Sequence, residues 1–193
     1  MIFEPKWKSL VATTTAPIFS PQQCQNIIDI GHQQKSEEAK VGTMAKGGTH
    51  DTKKRITTIS WIPFKALPDM YRIIERTMKQ VNGNHFGYEG MMITEPAQFT
   101  EYPKGGFYDW HMDADVNCAF EPPVRKISMT ILLSPQTEFE GGNLEFMTEG
   151  NKPPQLLQGQ AIFFCSLIRH RVAKVKKGVR SSLVMWFGGP PFK

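Results

Sequence analysis

The chain has 193 residues, of which 40% are hydrophobic and 21% charged, and its formal net charge is +5. This length suits one domain with its own core, or a domain with a small extension, and the composition is that of an ordinary globular protein. No apolar run approaches the roughly 20 residues that a membrane-spanning helix needs. Glu4 and Pro5 also stand where a signal peptide would have its apolar core, so we expect a soluble, cytoplasmic protein with no membrane partner.

The cysteines argue against two common kinds of small protein. The chain has three cysteines, Cys24, Cys118 and Cys165. Their odd number and the lack of paired spacing argue against a disulfide framework and against a thiolate zinc site. Cys165 continues the apolar run 161–164. We therefore expect it to be a buried thiol in the core.

Two amphipathic helices are predicted in the first half of the chain. Ser20, Pro21 and Gln23 form a helix-start signature in which serine caps, proline occupies the first turn and glutamine completes a capping box. Apolar residues then follow a helical rhythm to about residue 34. The second helix is predicted over 68–81, where five apolar residues share one face, and 82–84 should end it.

The rest of the chain reads mainly as short strands. Residues 36–51 are polar and contain glycine, which predicts a loop, and 55–62 alternate like a strand. After residue 90, further strands are predicted at 92–102, 108–113, 126–133, 143–147, 160–166 and 181–187. This spacing is typical of a jelly roll or barrel. We predict one mainly β domain over 1–193, in which the helices and strand of 1–89 support a β core at 90–188.

His111 and Asp113 are candidate metal ligands. Side chains at positions i and i+2 of a strand point to the same face, so an imidazole and a carboxylate would converge. A second histidine would complete a 2-His-1-carboxylate set, which leaves coordination positions open for oxygen chemistry at iron(II). His170 is the best of the remaining histidines because it follows the apolar run 162–168. The alternative is a surface histidine beside solvated acids, since His-x-Asp is common by chance.

Arg180 is a candidate anion-binding residue. It lies ten positions after His170, at the start of an apolar strand, and Ser182 shares its face. A guanidinium binds a carboxylate through two parallel hydrogen bonds. Arg180 could therefore hold the far carboxylate of a 2-oxo diacid that chelates the metal. The alternative is a salt bridge at the surface.

Five segments with consistent order and spacing carry a family resemblance. They are QFTEY at 98–102, GFYDWHMD at 106–113, RKIS at 125–128, FEGGNL at 139–144, and the stretch from His170 through Arg180 to Trp186. Together they resemble the prolyl and lysyl hydroxylase-type group of iron(II)- and 2-oxoglutarate-dependent oxygenases. The resemblance covers about residues 90–188 and extends more weakly to Arg55 and Trp61.

The resemblance implies a double-stranded β-helix, which is a cupin-like form of jelly roll. It implies an enzyme that couples decarboxylation of 2-oxoglutarate to hydroxylation of a C–H bond. The implied cofactor and cosubstrates are Fe(II), 2-oxoglutarate and O2, with ascorbate as a further candidate. The implied iron ligands are His111, Asp113 and His170, and no further side chain is implied as a general base.

The resemblance also suggests the surroundings of the metal. With the resemblance as guide, we assign three residues to the cosubstrate pocket: Arg180, Tyr102 and Ser182. The implied substrate contacts are Tyr108, Trp186 and Arg55, although the aromatic residues among these six could equally be ordinary core residues. One departure concerns 131–133, which is aliphatic where some relatives have a tyrosine that touches 2-oxoglutarate.

The substrate is the least determined feature. Our first hypothesis is a proline-containing peptide or protein, over which the loop at 36–51 could fold. Basic clusters at 53–55 and 169–177 leave open a nucleic-acid demethylase on the same scaffold, although neither cluster forms a contiguous basic helix. A non-catalytic, cupin-like binding protein is the third alternative. The sequence does not indicate an oligomeric state.

Overall fold

Two helices and fourteen strands make up the ordered elements of the computed structural model, which describes residues 10–39, 51–114, 123–147 and 154–191. The helices are α1 (Pro21–Gln33) and α2 (Pro68–Val81), and α2 is followed by a π-helical turn (Asn82–Phe86). Within these ranges, neither helix has the length and apolar character needed to cross a bilayer.

The strands follow the chain in this order: β1 (Val11–Thr13), β2 (Glu37–Glu38), β3 (Arg55–Ile56), β4 (Thr58–Ile62), β5 (Met92–Ile93), β6 (Ala97–Tyr102), β7 (Phe107–His111), β8 (Val124–Leu132), β9 (Phe139–Gly141), β10 (Leu144–Phe146), β11 (Ala161–Cys165), β12 (His170–Val172), β13 (Val175–Gly178) and β14 (Arg180–Gly189). The larger sheet has the order β1-β11-β8-β14-β6-β4-β2, with β5 also paired to β14. The smaller sheet has the order β10-β12-β7-β3, and β13 pairs with β9. Both sheets are antiparallel, as expected for a double-stranded β-helix.

The larger sheet separates two apolar clusters because its side chains alternate between faces. One face packs on the helices through Phe99, Met129, Ile131, Phe163 and Leu183, together with Ile74 and Met78 of α2. The opposite face contributes Leu132, Ile162 and Phe164 to a second cluster shared with Leu144 and Val172 of the smaller sheet. The predicted mainly β fold with flanking helices is thereby confirmed.

The face that looks toward the smaller sheet is unusually polar. Buried along it are Gln98, Thr100, Ser128, Thr130, Arg180 and Ser182. Buried polar groups cost free energy unless they are paired. A row of buried polar side chains between the two sheets therefore indicates a binding cavity, since a packed core would be apolar.

Helix α1 begins as its sequence predicts. The Ser20 hydroxyl accepts a hydrogen bond from the Gln23 backbone N–H at 3.2 Å, and the Gln23 side chain accepts one from the Ser20 N–H at 2.8 Å. Each bond satisfies a backbone donor that has no partner within the helix. The helix buries Cys24 and Ile27 against the larger sheet. The cap therefore also stabilises the packing of this helix on the sheet.

We expect Ser20→Ala to lower the free energy of unfolding by about 1 kcal/mol, because it leaves a helix N-terminal donor unsatisfied. Urea denaturation of the two proteins measures this difference. Ser20→Asp keeps an acceptor at the same position and should stay close to the original stability. Equal midpoints for Ser20→Ala and the original chain would contradict the capping role.

Several predicted boundaries are wrong. The strand at 55–62 is two strands, because Thr57 turns its hydroxyl to the Glu101 carbonyl at 2.5 Å and separates β3 from β4. The predicted strand at 92–102 likewise divides into β5 and β6. The second helix continues as the π-helical turn and ends at Gly87, where φ is 70°. The predicted loop at 36–51 contains β2, while its residues 40–50 lie outside the described part of the chain.

Two differences affect the candidate ligands directly. Strand β7 ends at His111, so Asp113 follows the strand instead of lying on it. His170 does not end the apolar strand β11 but begins β12, after a turn in which the Ile168 N–H donates to the Cys165 carbonyl at 3.0 Å. Cys165 is a buried free thiol, as predicted, and Cys118 lies outside the described residues.

Candidate active site

The two candidate histidines face each other across a strand pair. His111 is the last residue of β7 and His170 the first of β12, and they are direct partners in the antiparallel register. Side chains at such a pair lie on the same face. Their ring centroids are 4.2 Å apart at an angle of 54°. The pairing of two strand ends therefore brings together residues that are far apart in sequence.

Asp113 completes the cluster from the turn after β7. Its backbone N–H donates to the Ser166 carbonyl at 3.0 Å, which holds the turn against the end of β11. Its Oδ1 lies 3.5 Å from His111 Nε2 and its Oδ2 lies 3.5 Å from His170 Nε2. One ligand atom from each residue falls within 4.8 Å of the others. Such a cluster has the spacing needed to hold one metal ion.

The hydrogen bonds of the two histidines determine which ring nitrogen of each can bind a metal. His111 Nδ1 lies 2.7 Å from the Asp109 carbonyl, and His170 Nδ1 lies 2.9 Å from the Ile168 carbonyl. A carbonyl can only accept, so each Nδ1 carries the proton and donates it. Each Nε2 of the neutral ring then has a free lone pair directed at the cluster, the arrangement usual for metal-ligating histidines.

The electrostatics of the cluster suit a cation. Burial raises the pKa of Asp113, but the His170 and His111 imidazoles and a hydrogen bond from Ser128 outweigh it and hold that pKa below its ordinary value. Burial lowers the pKa of His170, against the opposing effect of Asp113. At neutral pH the site therefore holds an ionised carboxylate and a neutral imidazole. Two imidazole nitrogens and one carboxylate are a donor set that fits iron(II).

A stack of three planar groups supports His111. The Tyr108 ring lies 3.5 Å from the His111 ring at 16°, and the Arg55 guanidinium lies 4.4 Å from the centre of the Tyr108 ring. Arg55 also donates to the Gln98 amide oxygen at 3.3 Å. Burial raises the pKa of Tyr108 to about 12, despite the lowering effect of Arg55. Tyr108 is therefore a neutral phenol that packs flat on a candidate ligand.

We expect Tyr108→Leu to weaken iron(II) binding by roughly 10-fold, because loss of an outer partner lets the ligand reorient. Tyr108→Phe keeps the stacked ring and should bind iron nearly as well as the original chain. Anaerobic equilibrium dialysis against iron(II) measures both. If Tyr108→Phe and Tyr108→Leu lose affinity equally, the hydroxyl is responsible and the stack is not.

Arg180 is a buried cation without an anion. Its side chain is 3% exposed, and no carboxylate lies within ion-pair distance of it in the described ranges. Its Nη1 donates to the Ser182 hydroxyl at 3.0 Å, and its guanidinium carbon lies 5.7 Å from the centre of the Tyr102 ring. Burial lowers the pKa of Arg180, although Tyr102 opposes the shift. The three residues predicted for the cosubstrate pocket thus lie together.

Glycine at position 142 permits this placement of Arg180. Gly142 has φ of 65°, and a Cβ added there would stand 2.7 Å from Arg180 Cδ. Gly141 precedes it with φ of 79°, where a Cβ would meet the Lys174 carbonyl at 2.5 Å. Both the backbone conformation and the close approach require residues without side chains. The double-glycine turn therefore has a structural role.

Arg125 connects Trp186 to the turn that carries Asp113. The Arg125 guanidinium lies 4.0 Å from the Trp186 ring, donates to both carboxylate oxygens of Glu95, and reaches the Asp113 carbonyl at 3.4 Å. The Trp186 indole Nε1 is buried and has no hydrogen-bond partner in the part of the chain that the structure describes. Sequence reasoning assigned no role to Arg125 or Glu95. The signal was available, since Arg125 begins the matching segment RKIS.

Comparisons with known proteins identify a family that matches part of the chain. Residues 97–188 match the family described as the 2OG-Fe(II) oxygenase superfamily. A PKHD-type hydroxylase of Parvibaculum lavamentivorans is 36% identical over 95 residues, which cover 47% of this chain and 42% of that protein. A PKHD-type hydroxylase of Alteromonas mediterranea is 33% identical over the same length. The chain thus spans less than half the length of these two relatives.

Solved structures share the fold at low identity. A prolyl hydroxylase from Trichoplax adhaerens, in complex with a hypoxia inducible factor peptide fragment, superposes with a TM-score of 0.70 at 17% identity, covering 93% of this chain and 84% of that one. A Pseudomonas putida prolyl-4-hydroxylase gives 0.68 at 18%, covering 93% and 92%. The viral collagen prolyl hydroxylase of Paramecium Bursaria Chlorella virus-1 gives 0.69 at 20%, covering 93% and 96%. These likenesses establish the fold alone.

Fold, residue cluster and family match agree for this part of the chain: residues 97–188 match a 2OG-Fe(II) oxygenase domain. Iron(II), 2-oxoglutarate and O2 are the cofactor and cosubstrates that such a domain implies. The chain is similar in sequence to PKHD-type hydroxylases over 47% of its length and similar in fold to prolyl hydroxylases.

Proposed function

We propose that this chain is an iron(II)- and 2-oxoglutarate-dependent dioxygenase that hydroxylates proline in peptides or proteins. One observation carries the proposal. The ligand atoms of His111, Asp113 and His170 lie within 4.8 Å of one another, and the Arg180 guanidinium is buried without an acidic partner in the described ranges. A chelating 2-oxo diacid needs both features, a metal for its oxo end and a fixed cation for its far carboxylate.

Each group has a distinct task in this proposal. His111, Asp113 and His170 hold the iron, and the backbone carbonyls of Asp109 and Ile168 orient the two imidazoles. When bound, iron and 2-oxoglutarate supply the O2-dependent oxidation of a C–H bond. The protein's own contribution is to orient both cosubstrate and substrate and to exclude water.

The cosubstrate is proposed to lie against Arg180, Tyr102 and Ser182. The Ser182 hydroxyl holds Nη1 of Arg180 in place at 3.0 Å. A guanidinium already fixed by a neighbour loses less conformational entropy when it binds a carboxylate. Leu132 and Leu144 line the space beside it and suit the methylene part of a short diacid.

The substrate is proposed to enter between Tyr108 and Trp186. Tyr108 packs on the candidate ligand His111, and Trp186 packs under Arg125, which in turn reaches the Asp113 carbonyl. Aromatic faces suit a flat, apolar pyrrolidine ring.

The basic clusters that motivated a nucleic-acid substrate are partly neutralised by acids. Arg171 pairs with Glu145 at 2.7 Å, Lys177 lies 3.7 Å from Glu140, and Arg55 is turned inward over Tyr108. Binding of single-stranded nucleic acid depends on cations that are free to meet phosphates. These contacts favour the peptide hypothesis.

Turnover of 2-oxoglutarate to succinate, screened against peptide and oligonucleotide pools, tests the proposed function. We expect succinate to form with iron(II) and O2, and a proline-containing peptide to gain the mass of one oxygen. A gain confined to oligonucleotides would replace the peptide hypothesis by the demethylase. No succinate under any condition would support a non-catalytic binding protein.

A further inference from the structure

Glu95 and Arg125 form an ion pair to which the proposed function gives no task of its own. Glu95 lies in the loop between β5 and β6, and Arg125 is the second residue of β8. Arg125 Nε donates to Glu95 Oε1 at 2.6 Å, and its Nη2 donates to Oε2 at 2.5 Å. The two side chains are only 26% and 19% exposed. Two parallel hydrogen bonds between planar groups fix the plane of the guanidinium better than a single contact would.

The remaining guanidinium nitrogen reaches the backbone of a candidate metal ligand. Arg125 Nη1 lies 3.4 Å from the Asp113 carbonyl oxygen, and the guanidinium carbon lies 4.0 Å from the centre of the Trp186 ring. Two nitrogens of Arg125 therefore bind Glu95, and the third contacts the Asp113 turn. Because Glu95 fixes the plane of the guanidinium, it also determines where Nη1 points.

A bulge in β8 directs Arg125 to this side of the sheet. Residues two apart on a regular strand share a face, and Ile127 packs on the helix side of the larger sheet, so Arg125 would face the helices too. The register shifts instead: Ile127 pairs with Phe187, but Arg125 pairs with the next residue, Gly188. The extra residue in β8 turns Arg125 onto Trp186, on the opposite face. Bulges often re-aim side chains in this way beside active sites.

Glycine at position 188 also lets the loop that carries Glu95 approach β8. A Cβ added at Gly188 would stand 2.9 Å from Thr94 Cγ2 and 3.1 Å from Pro123 Cβ. Thr94 precedes Glu95, and Pro123 precedes the first residue of β8. The absence of a side chain at Gly188 therefore brings the two partners of the ion pair within reach of each other.

Asp113 depends on contacts of this kind because it lies beyond the end of β7. The Asp113 and Ala114 N–H groups both donate to the Ser166 carbonyl, at 3.0 and 3.1 Å. These bonds hold the turn from its N–H side, and the Arg125 contact holds Asp113 from its carbonyl side. Partners outside the ligand set orient the ligands in this manner.

We infer that Glu95 is a positioning residue for the metal site and acts on Asp113 through Arg125. Glu95 holds the guanidinium, and the guanidinium holds the turn that carries the ligand. The inference rests on the proposed function, because it takes Asp113 as a metal ligand. It makes metal affinity depend on a carboxylate that is not a member of the ligand cluster. The other interpretation is an ion pair that only joins the 94–96 loop to β8.

Equilibrium dialysis of the full chain against manganese(II) tests the inference without turnover. We expect Glu95→Ala to weaken manganese(II) binding about 10-fold, because loss of an outer partner lets the ligand reorient. Glu95→Gln keeps the shape and one acceptor oxygen, so it should weaken binding by a smaller factor. Since Glu95 acts through Arg125, the double variant Glu95→Ala/Arg125→Ala should bind manganese(II) within about 2-fold of Arg125→Ala alone.

Glu145→Ala is the matched control. Glu145 is 24% exposed and pairs with Arg171 at 2.7 Å, and Arg171 lies over the Trp110 ring much as Arg125 lies over Trp186. Among the described residues, Arg171 donates to Glu145 and to no carbonyl of a candidate ligand. The control therefore removes a comparable ion pair and should leave manganese(II) affinity unchanged.

Unchanged affinity in Glu95→Ala would overturn the inference and leave the proposed function intact. If that variant does not fold, unchanged affinity in Glu95→Gln has the same meaning. A further loss of more than about 2-fold on adding Glu95→Ala to Arg125→Ala would also overturn it, because Glu95 would then act by another route. Equal weakening by Glu145→Ala would reduce the effect to a general loss of stability and overturn it as well. If the original chain binds no manganese(II), the proposed function itself fails.

Discussion

Asp113→Ala is expected to abolish iron(II) binding and all 2-oxoglutarate turnover. The carboxylate is 9% exposed and stands 3.5 Å from an Nε2 of each histidine. Without it, two neutral imidazoles remain as ligands, and the cluster loses its only negative charge. We expect turnover to fall by at least about 1,000-fold, the equivalent of roughly 4 kcal/mol of lost stabilisation.

Iron content and succinate formation should fall together in this variant. The matched control is Asp29→Ala, which removes an exposed carboxylate on α1 that accepts a hydrogen bond from the Gln25 amide at 2.8 Å. It should keep full iron content and activity. Circular dichroism separates loss of metal from loss of fold. If Asp113→Ala retained iron and turnover, the assignment of all three ligands would be wrong.

Local signals in the sequence were sufficient for the helices. The capping box at Ser20 and the apolar face of 68–81 involve residues within a few positions of one another, and both helices occur where predicted. Period-two alternation likewise located most of the strands of the larger sheet. Very short strands such as β2, β9 and β13 were missed, because two to four residues are too few to show a period.

The three candidate metal ligands lie together, but partly by a different geometry from the one that the sequence predicted. Asp113 was expected on a strand with His111, yet it follows the strand and is held by the Ser166 carbonyl. His170 was expected at the end of β11, yet it begins β12 opposite His111. The residue types indicated the chemistry, whereas strand ends and turns depend on partners distant in sequence.

The supporting contacts could not be predicted from spacing at all. Arg55 is 53 positions from Tyr108, and no periodicity links them, yet they stack on one another and on His111. The Arg125–Glu95 pair beside Trp186 is of the same kind. Such contacts arise from the closure of the two sheets, so only the folded chain reveals them.

Arg180→Ala is expected to raise the KM for 2-oxoglutarate while leaving kcat at saturation much less affected. Truncating one partner of a buried charge pair typically costs about 2–5 kcal/mol, which corresponds to between roughly 30-fold and several thousand-fold in affinity. Arg180→Lys keeps the charge but not the planar fork, so it should recover only part of the loss. Arg72→Ala, at an exposed arginine that pairs with Asp69, is the control and should change neither constant.

Stability measurements distinguish this role from a structural one. Arg180 has no acidic partner in the described ranges, so its removal breaks no ion pair in the protein without cosubstrate. A ligand that binds only the folded state raises the melting temperature by mass action. The metal-loaded original chain should therefore be stabilised by 2-oxoglutarate, and Arg180→Ala should lose that thermal shift. An undiminished shift in the variant would mean that another cation holds the diacid, since a buried carboxylate requires one.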